Sequence, residues 1–199
     1  MKIKSNSVFY RISFMIILAI LTSNCKKLDI IDIGENYGGG IIFYLDETGE
    51  HGLVAAPEDQ GYYAWGCTLS PISGADGILV GTGYQNTIDI VNGCSETDGA
   101  AYICANLELN GYSDWFLPSK DELNLMYVNL KVKGIGAFKS KIKFLWWESE
   151  AEYWSSSESS MNNGIEVLPT AWYQNFFTGY KEDGKSRNNG CYVRAVRSF

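Results

Sequence analysis

Asn110-Gly-Tyr-Ser-Asp-Trp-Phe-Leu-Pro-Ser-Lys-Asp-Glu122 is the stretch that decides the fold. Its last four residues form a capping box. The Ser119 hydroxyl accepts the backbone N–H three residues on, and the Glu122 carboxylate reaches back to the N–H of Ser119. Leu123, Met126, Tyr127 and Leu130 follow at helical spacing, so a helix starts here with one apolar face. Trp115, Leu117 and Pro118 precede the cap and read as a plug between two helices. Asp121 and Glu122 could also be read as paired acids. The capping role already accounts for Glu122, and no catalytic role is assigned.

Upstream, two shorter helices are expected. Asn86 is read as the cap of one running through Ile88, Ile90 and Val91 to a stop at Gly93. Asp98 is read as the cap of the next. Ala100, Ile103 and Leu107 share its buried face with Ala101 and Cys104, and Gly111 ends the segment. Ile41–Leu45 and Leu53–Ala56 flank the polar turn Asp46–Gly52, which predicts a β-hairpin. Gly38-Gly39-Gly40 before it is a turn and not a phosphate loop, because no Lys-Ser/Thr follows. Downstream the chain becomes strand-like and aromatic: Phe144–Trp147, Tyr153–Ser156, Ala171–Phe177 and Cys191–Arg197. Ser155, Ser156 and Ser157 have no base placed beside them by the sequence, which is poor support for a nucleophile.

The N-terminus points to a compartment. Lys2, Lys4 and Arg11 precede the apolar run Ile12–Leu21. A membrane span needs about 20 apolar residues, so this run reads as a signal h-region. Leu21-Thr-Ser-Asn-Cys25 then resembles a bacterial lipobox, with Leu21 one place early and Asn24 larger than the usual small residue. The expected layout is a signal peptide over 1–24, a lipidated Cys25 with a tether over 25–37, and one domain over 38–199. The expected location is the bacterial cell envelope, at the outer membrane or cell surface.

From Cys25 onward the chain carries 13 Lys+Arg against 23 Asp+Glu. Such a surface repels nucleic acid. The one basic run is Lys131–Lys143, read as a solvated face. Excluding Cys25, four cysteines remain: Cys67, Cys94, Cys104 and Cys191. In an oxidising compartment this favours two disulfides with three pairings open. The only histidine is His51, so no structural metal is expected. No cofactor is indicated, and oligomer formation is left open.

From Gly39 onward the pattern resembles the Lcl C-terminal domain family. The matching stretches are Gly39–Asp46, Gly52–Pro57, Gly81–Thr87, Asn110–Ser119, Tyr153–Glu158 and Val193–Arg197. The resemblance implies an α+β, C-type-lectin-like fold with antiparallel strands and about three helices. Lectin-like relatives often carry Arg where Phe116 stands. Some family members are surface adhesins for sulfated glycans, a ligand that so acidic a chain gives no reason to adopt. The resemblance also favours a bridge from the helix bearing Cys104 to the last strand at Cys191, which leaves Cys67 to pair with Cys94. The leading functional expectation is a noncatalytic binding or adhesion module for a glycan or envelope polymer. Trp146, Trp147, Trp172, Tyr173 and Tyr180 are its candidate contacts, since aromatic rings suit sugars. The alternatives are an enzyme similar to formylglycine-generating oxidases, which needs reactive thiols, and a structural envelope component.

Overall fold

The capping box at Ser119 forms as the sequence predicts, and it sits at the centre of the architecture. In the computed structural model, which describes residues 31–68, 71–143, 148–162 and 167–199, the Ser119 side chain accepts from Glu122 N at 3.3 Å. Glu122 returns the bond to Ser119 N at 2.7 Å. The helix it starts, α3 (Lys120–Met126), runs on into a wide π-helical turn over Tyr127–Lys131. Leu123, Met126 and Leu130 are buried, so the apolar spacing faces the core as expected. Two shorter helices precede it, α1 (Gly83–Gly93) and α2 (Ala100–Ala105). Among the described residues, no helix is long and apolar enough to cross a membrane.

The strands form two main sheets. In the first, β1 (Asn36–Tyr37), β2 (Gly40–Leu45), β3 (Gly52–Ala55) and β11 (Val196–Ser198) lie in the order β1-β2-β3-β11. The second has β4 (Gly61–Ala64), β10 (Gly190–Val193), β7 (Glu152–Asn162), β8 (Val167–Asn175) and β9 (Lys181–Ser186), ordered β4-β10-β7-β8-β9. A small ladder pairs β5 (Lys141–Lys143) with β6 (Glu148–Glu150). All pairs are antiparallel except β10 with β7. The protein is α+β, as expected.

Several expectations need correction. Asn86 caps nothing. It lies inside α1, fully buried, and its amide donates to Gly77 O at 2.7 Å and Ser156 Oγ at 3.2 Å. The chain turns into α1 four residues earlier, at Thr82-Gly83, because Gly83 packs against the backbone of Ser119 and Leu117, where a side chain would collide. Gly99 holds the cap position of α2 and no side chain caps it. The last segment, predicted as one strand, is split between sheets: β10 belongs to the second and β11 to the first. Arg194 marks the crossing, with its guanidinium on Asp59 at 2.6 Å and on the carbonyls of Ala56, Pro57 and Gly136.

The cysteines also divide differently. Cys67 and Cys94 form the expected disulfide, with Cα atoms 5.4 Å apart. The Cys104–Cys191 bridge is absent; both are free and buried. Cys104 sits on α2 in surroundings that do nothing but desolvate it. Cys191 lies on β10 between β4 and β7, in reach of the charges of Lys185 and Glu152. Both thiols lie in the same buried core cluster without being joined.

Ser155, Ser156 and Ser157 are where the pieces meet. They form a bulge in β7: Trp154 pairs with Tyr173 and Glu158 with Ala171, so three residues oppose Trp172 alone. All three serines are buried. Ser155 Oγ donates to Trp172 O, and Ser157 Oγ donates to Gly77 O while accepting from Lys120 N. Ser156 N donates to Pro118 O at 2.7 Å. These hydroxyls stitch the loop before α1 and the start of α3 to the sheet, so buried polar groups are satisfied.

Candidate ligand-binding surface

Asn110 takes a left-handed conformation with φ +53°, and Gly111 follows it at +83°. The turn they make closes with reciprocal backbone bonds between Leu109 and Tyr112 at 3.0 Å. Asn110 Nδ2 reaches across to Gly39 O at 2.7 Å. This explains the glycine triplet: a Cβ on Gly39 would come within 2.6 Å of the Tyr112 ring. Arg197 stacks its guanidinium 3.9 Å above the Tyr112 ring, binds Asp114 through two bonds of 2.7 and 2.8 Å, and donates to Gly38 O. The Asp114 carboxyl is held below its ordinary range mainly by that Arg197 hydrogen bond.

A cleft of about 480 Å³ opens beside this turn. Ile103, Leu107 and Leu109 line one side, and Pro57, Glu58 and Gln60 the other. It shares Leu109 and Asn110 with a neighbouring hollow at Glu108–Ser113, and Pro57 and Asn110 with another at Asn36–Gly40. Together they make one shallow groove with an apolar floor and a rim of amides and carboxylates. Two tyrosines stand along it, Tyr37 at 44% exposed and Tyr112 at 38%. No lysine or arginine lines it among the described residues. Such a surface can hold a ring with apolar faces and hydroxyl edges.

The aromatic set expected from the sequence is not gathered into one groove. Trp172 and Tyr173 are consecutive on β8, so they point to opposite faces of the sheet. Trp172 is half-buried under the Lys120 ammonium, 4.7 Å from its ring centre. Tyr173 donates to Glu182 Oε2 at 2.6 Å and lies beneath Lys185 at 4.7 Å. Burial and the Glu182 carboxylate both push its phenol up. Tyr180 stands in the turn before β9 and is 70% exposed. Cys25, Trp146 and Trp147 lie outside the described residues. The groove at Asn110 was missed, although Pro57 and Asn110, which line it, fall in stretches that carried the family resemblance. The signal available was a tyrosine beside each glycine turn, at Tyr37-Gly38 and Gly111-Tyr112.

Two buried charged side chains outside the groove are held by structural bonds. Glu122 is fully buried, with one oxygen on Ser119 N and the other on Gly81 N. Arg187 is held by Glu158, Cys67 O and Thr170 O, over the Trp65 ring. Burial pushes the Cys104 and Cys191 thiols well above the ordinary range, which disfavours the reactive thiolate.

Comparison with curated proteins returned no match. Residues 63–197 match the family described as the Lcl C-terminal domain. They cover most of the chain, from β4 to the end of the last segment, so the chain belongs to the Lcl C-terminal domain family.

Proposed function

We propose that this protein is a lipid-anchored component of the bacterial envelope whose lectin-like domain binds a saccharide and performs no catalysis. The observation that carries the reading is the groove at Asn110: partly exposed Tyr37 and Tyr112 rings, an apolar floor and side-chain amides, with the one cation beside it, Arg197 on the Tyr112 ring, already paired with Asp114. Glu58 and Glu108 on its rim favour neutral glycans over sulfated or carboxylated ones. The anchor rests on the basic start, the apolar run Ile12–Leu21 and Cys25 behind it. Two acyl signals hold a protein to a bilayer where one is marginal.

A second placement puts the saccharide on the β8–β9 turn, favoured by the 70% exposure of Tyr180. An array of neutral and anionic glycans, followed by titration of the best ligand, decides between them. Tyr37→Ala is expected to weaken binding at least tenfold with native circular dichroism, and Tyr180→Ala to leave it unchanged. The reverse moves the site to the turn. No binding to any neutral glycan overturns the reading. The two free thiols keep a formylglycine-generating-type oxidase as the competing class, and their burial weighs against it. Mass spectrometry of the native protein tests the anchor: an unmodified N-terminus at a residue other than Cys25 removes it.

A further inference from the structure

In the cleft of about 480 Å³ beside Asn110, each side-chain amide already has an N–H committed to the protein itself. Asn110 Nδ2 donates to Gly39 O at 2.7 Å, and Gln60 Nε2 donates to Glu58 O at 2.8 Å. Gln60 Oε1 is taken by the N–H of Ala195. Asp59 is taken by Arg194 at 2.6 Å and by the Tyr153 hydroxyl at 3.0 Å. The side-chain acceptors left are the Glu58 carboxylate and Asn110 Oδ1, both on exposed residues and without a hydrogen-bond partner among the described residues. By the usual capacities of these groups, roughly two amide N–H remain against about six lone-pair sites. The cleft is therefore rich in acceptors and short of donors.

Charge points the same way. Every residue lining the groove lies between Asn36 and Ser113, inside the stretch from Leu28 to Ser119 that holds fourteen Asp and Glu and no Lys or Arg. The cations that approach it come from elsewhere and are committed. Arg194 is held by Asp59 and by the carbonyls of Ala56, Pro57 and Gly136. Arg197 is held by both oxygens of Asp114 and by Gly38 O. Lys131, near enough for its charge to act on Asp59, donates to Phe138 O and Ser140 Oγ. Each arginine brings its own carboxylate, so these pairs cancel. Glu58 and Glu108 remain, in hollows that share Leu109 and Asn110. Both are exposed, and neither carries a cation among the described residues.

We infer that the preferred ligand of this groove is a glycan whose sugars carry free, protonated amines, which pair with Glu58 and Glu108. This inference deepens the saccharide reading and rests on it. An ammonium carries three N–H donors and accepts nothing, so it fits a cleft with acceptors to spare. Acetylating the amine removes the charge and two of its N–H groups and adds a carbonyl acceptor, for which the cleft has little to offer. The sugar ring keeps an apolar face for Leu107, Leu109 and the Tyr37 ring. A lysine-rich peptide would match the charge, but the tyrosines and the shallow apolar floor suit a flat ring better.

The test is calorimetric titration of the full chain with a chitosan oligosaccharide and with the same oligosaccharide fully N-acetylated, at mildly acidic pH where the amines are protonated. The amine form is expected to bind about tenfold tighter at low salt, from two exposed charge pairs. That ratio shrinks as salt screens the charges. Glu58→Gln with Glu108→Gln is expected to bring the ratio toward one, and circular dichroism verifies that the pair folds. Glu47→Gln, in the hairpin turn outside the groove, is expected to leave the ratio as it is. Equal affinity for the two oligosaccharides overturns the inference and leaves the saccharide reading standing. Absence of binding by either removes the reading and the inference with it. A ratio that the double variant leaves unchanged, or that Glu47→Gln lowers as much, also overturns the inference. Oligolysine that displaces the amine oligosaccharide at equal charge concentration overturns it in favour of a cationic peptide.

Discussion

Glu122 shows how one residue serves a turn, a helix and a loop together. Its two oxygens take the N–H groups of Ser119 and Gly81, and it is fully buried. Burial raises its pKa above the ordinary 4.5, although the backbone donors of Ser119, Gly81 and Gly83 pull the other way. A carboxyl with a raised folded value binds its proton more tightly in the native state. Its contribution to stability is therefore greatest below its unfolded value. That contribution falls as pH rises through the folded value and is level beyond. Glu122→Gln keeps the shape but faces one backbone donor with an amide donor, a loss of about 1–3 kcal/mol. In chemical denaturation across this range, the wild-type advantage over Glu122→Gln should shrink with rising pH. An advantage that grows with pH would mean that the donors outweigh burial.

The thiols offer a second prediction at this scale. Titration of the reduced-free, denatured domain should find two free thiols, Cys104 and Cys191, and titration of the native domain none, since both are buried. Four denatured thiols would mean the Cys67–Cys94 bridge does not form. None would mean that Cys104 and Cys191 are oxidised after all.

At the scale of elements, α3 and the loop before α1 stand or fall together. Ser119 Oγ accepts from Glu122 N and donates to Leu79 O at 2.9 Å, while Asp121 N donates to Ile78 O. Ser119→Ala removes the cap and also takes one donor from Leu79 O, which keeps those of Thr82. The loss should lie toward the upper end of the usual range for a cap, about 2 kcal/mol. An unchanged denaturation midpoint would argue that the hydroxyl contributes nothing. The bulge of three serines in β7 plays the complementary part on the sheet side, receiving Lys120 N and Asn86 Nδ2.

For the whole molecule, the Cys67–Cys94 bridge closes a loop with a sequence separation of 27 that contains all of α1. In the chain-entropy account, a loop of this length stabilises by about 3–4 kcal/mol. Reduction should lower the unfolding midpoint accordingly without changing the Asn110 groove, which lies outside that loop. A reduced protein as stable as the oxidised one would show that the loop is held by its other contacts. Those contacts are considerable. Arg187 reaches Cys67 O from a position fully buried between Trp65 and Glu158, and breaking a buried pair of this kind costs about 3–5 kcal/mol.

Local chemistry made much of this protein legible in advance. The Ser119 capping box, the apolar face of Leu123, Met126 and Leu130, and the hairpin around Asp46–Gly52 each follow from residues a few positions apart. Their partners are neighbours in sequence, so the pattern and the contact are the same thing. The family followed likewise, from ordered stretches that run nearly the length of the domain. What the tertiary structure alone decided concerns residues whose partners lie far along the chain. Asn86 looks like a cap and is instead buried against Ser156, 70 positions away. The final segment alternates like one strand, yet Arg194 finds Asp59 and the chain changes sheet there. Trp172 and Tyr173 are neighbours in sequence and face opposite ways, while Tyr37 and Tyr112 flank one groove across 75 positions. The physical reason is the same in each case. A buried polar group, an arginine or a thiol takes its place from whatever packing brings beside it, and periodicity along the chain carries no record of that.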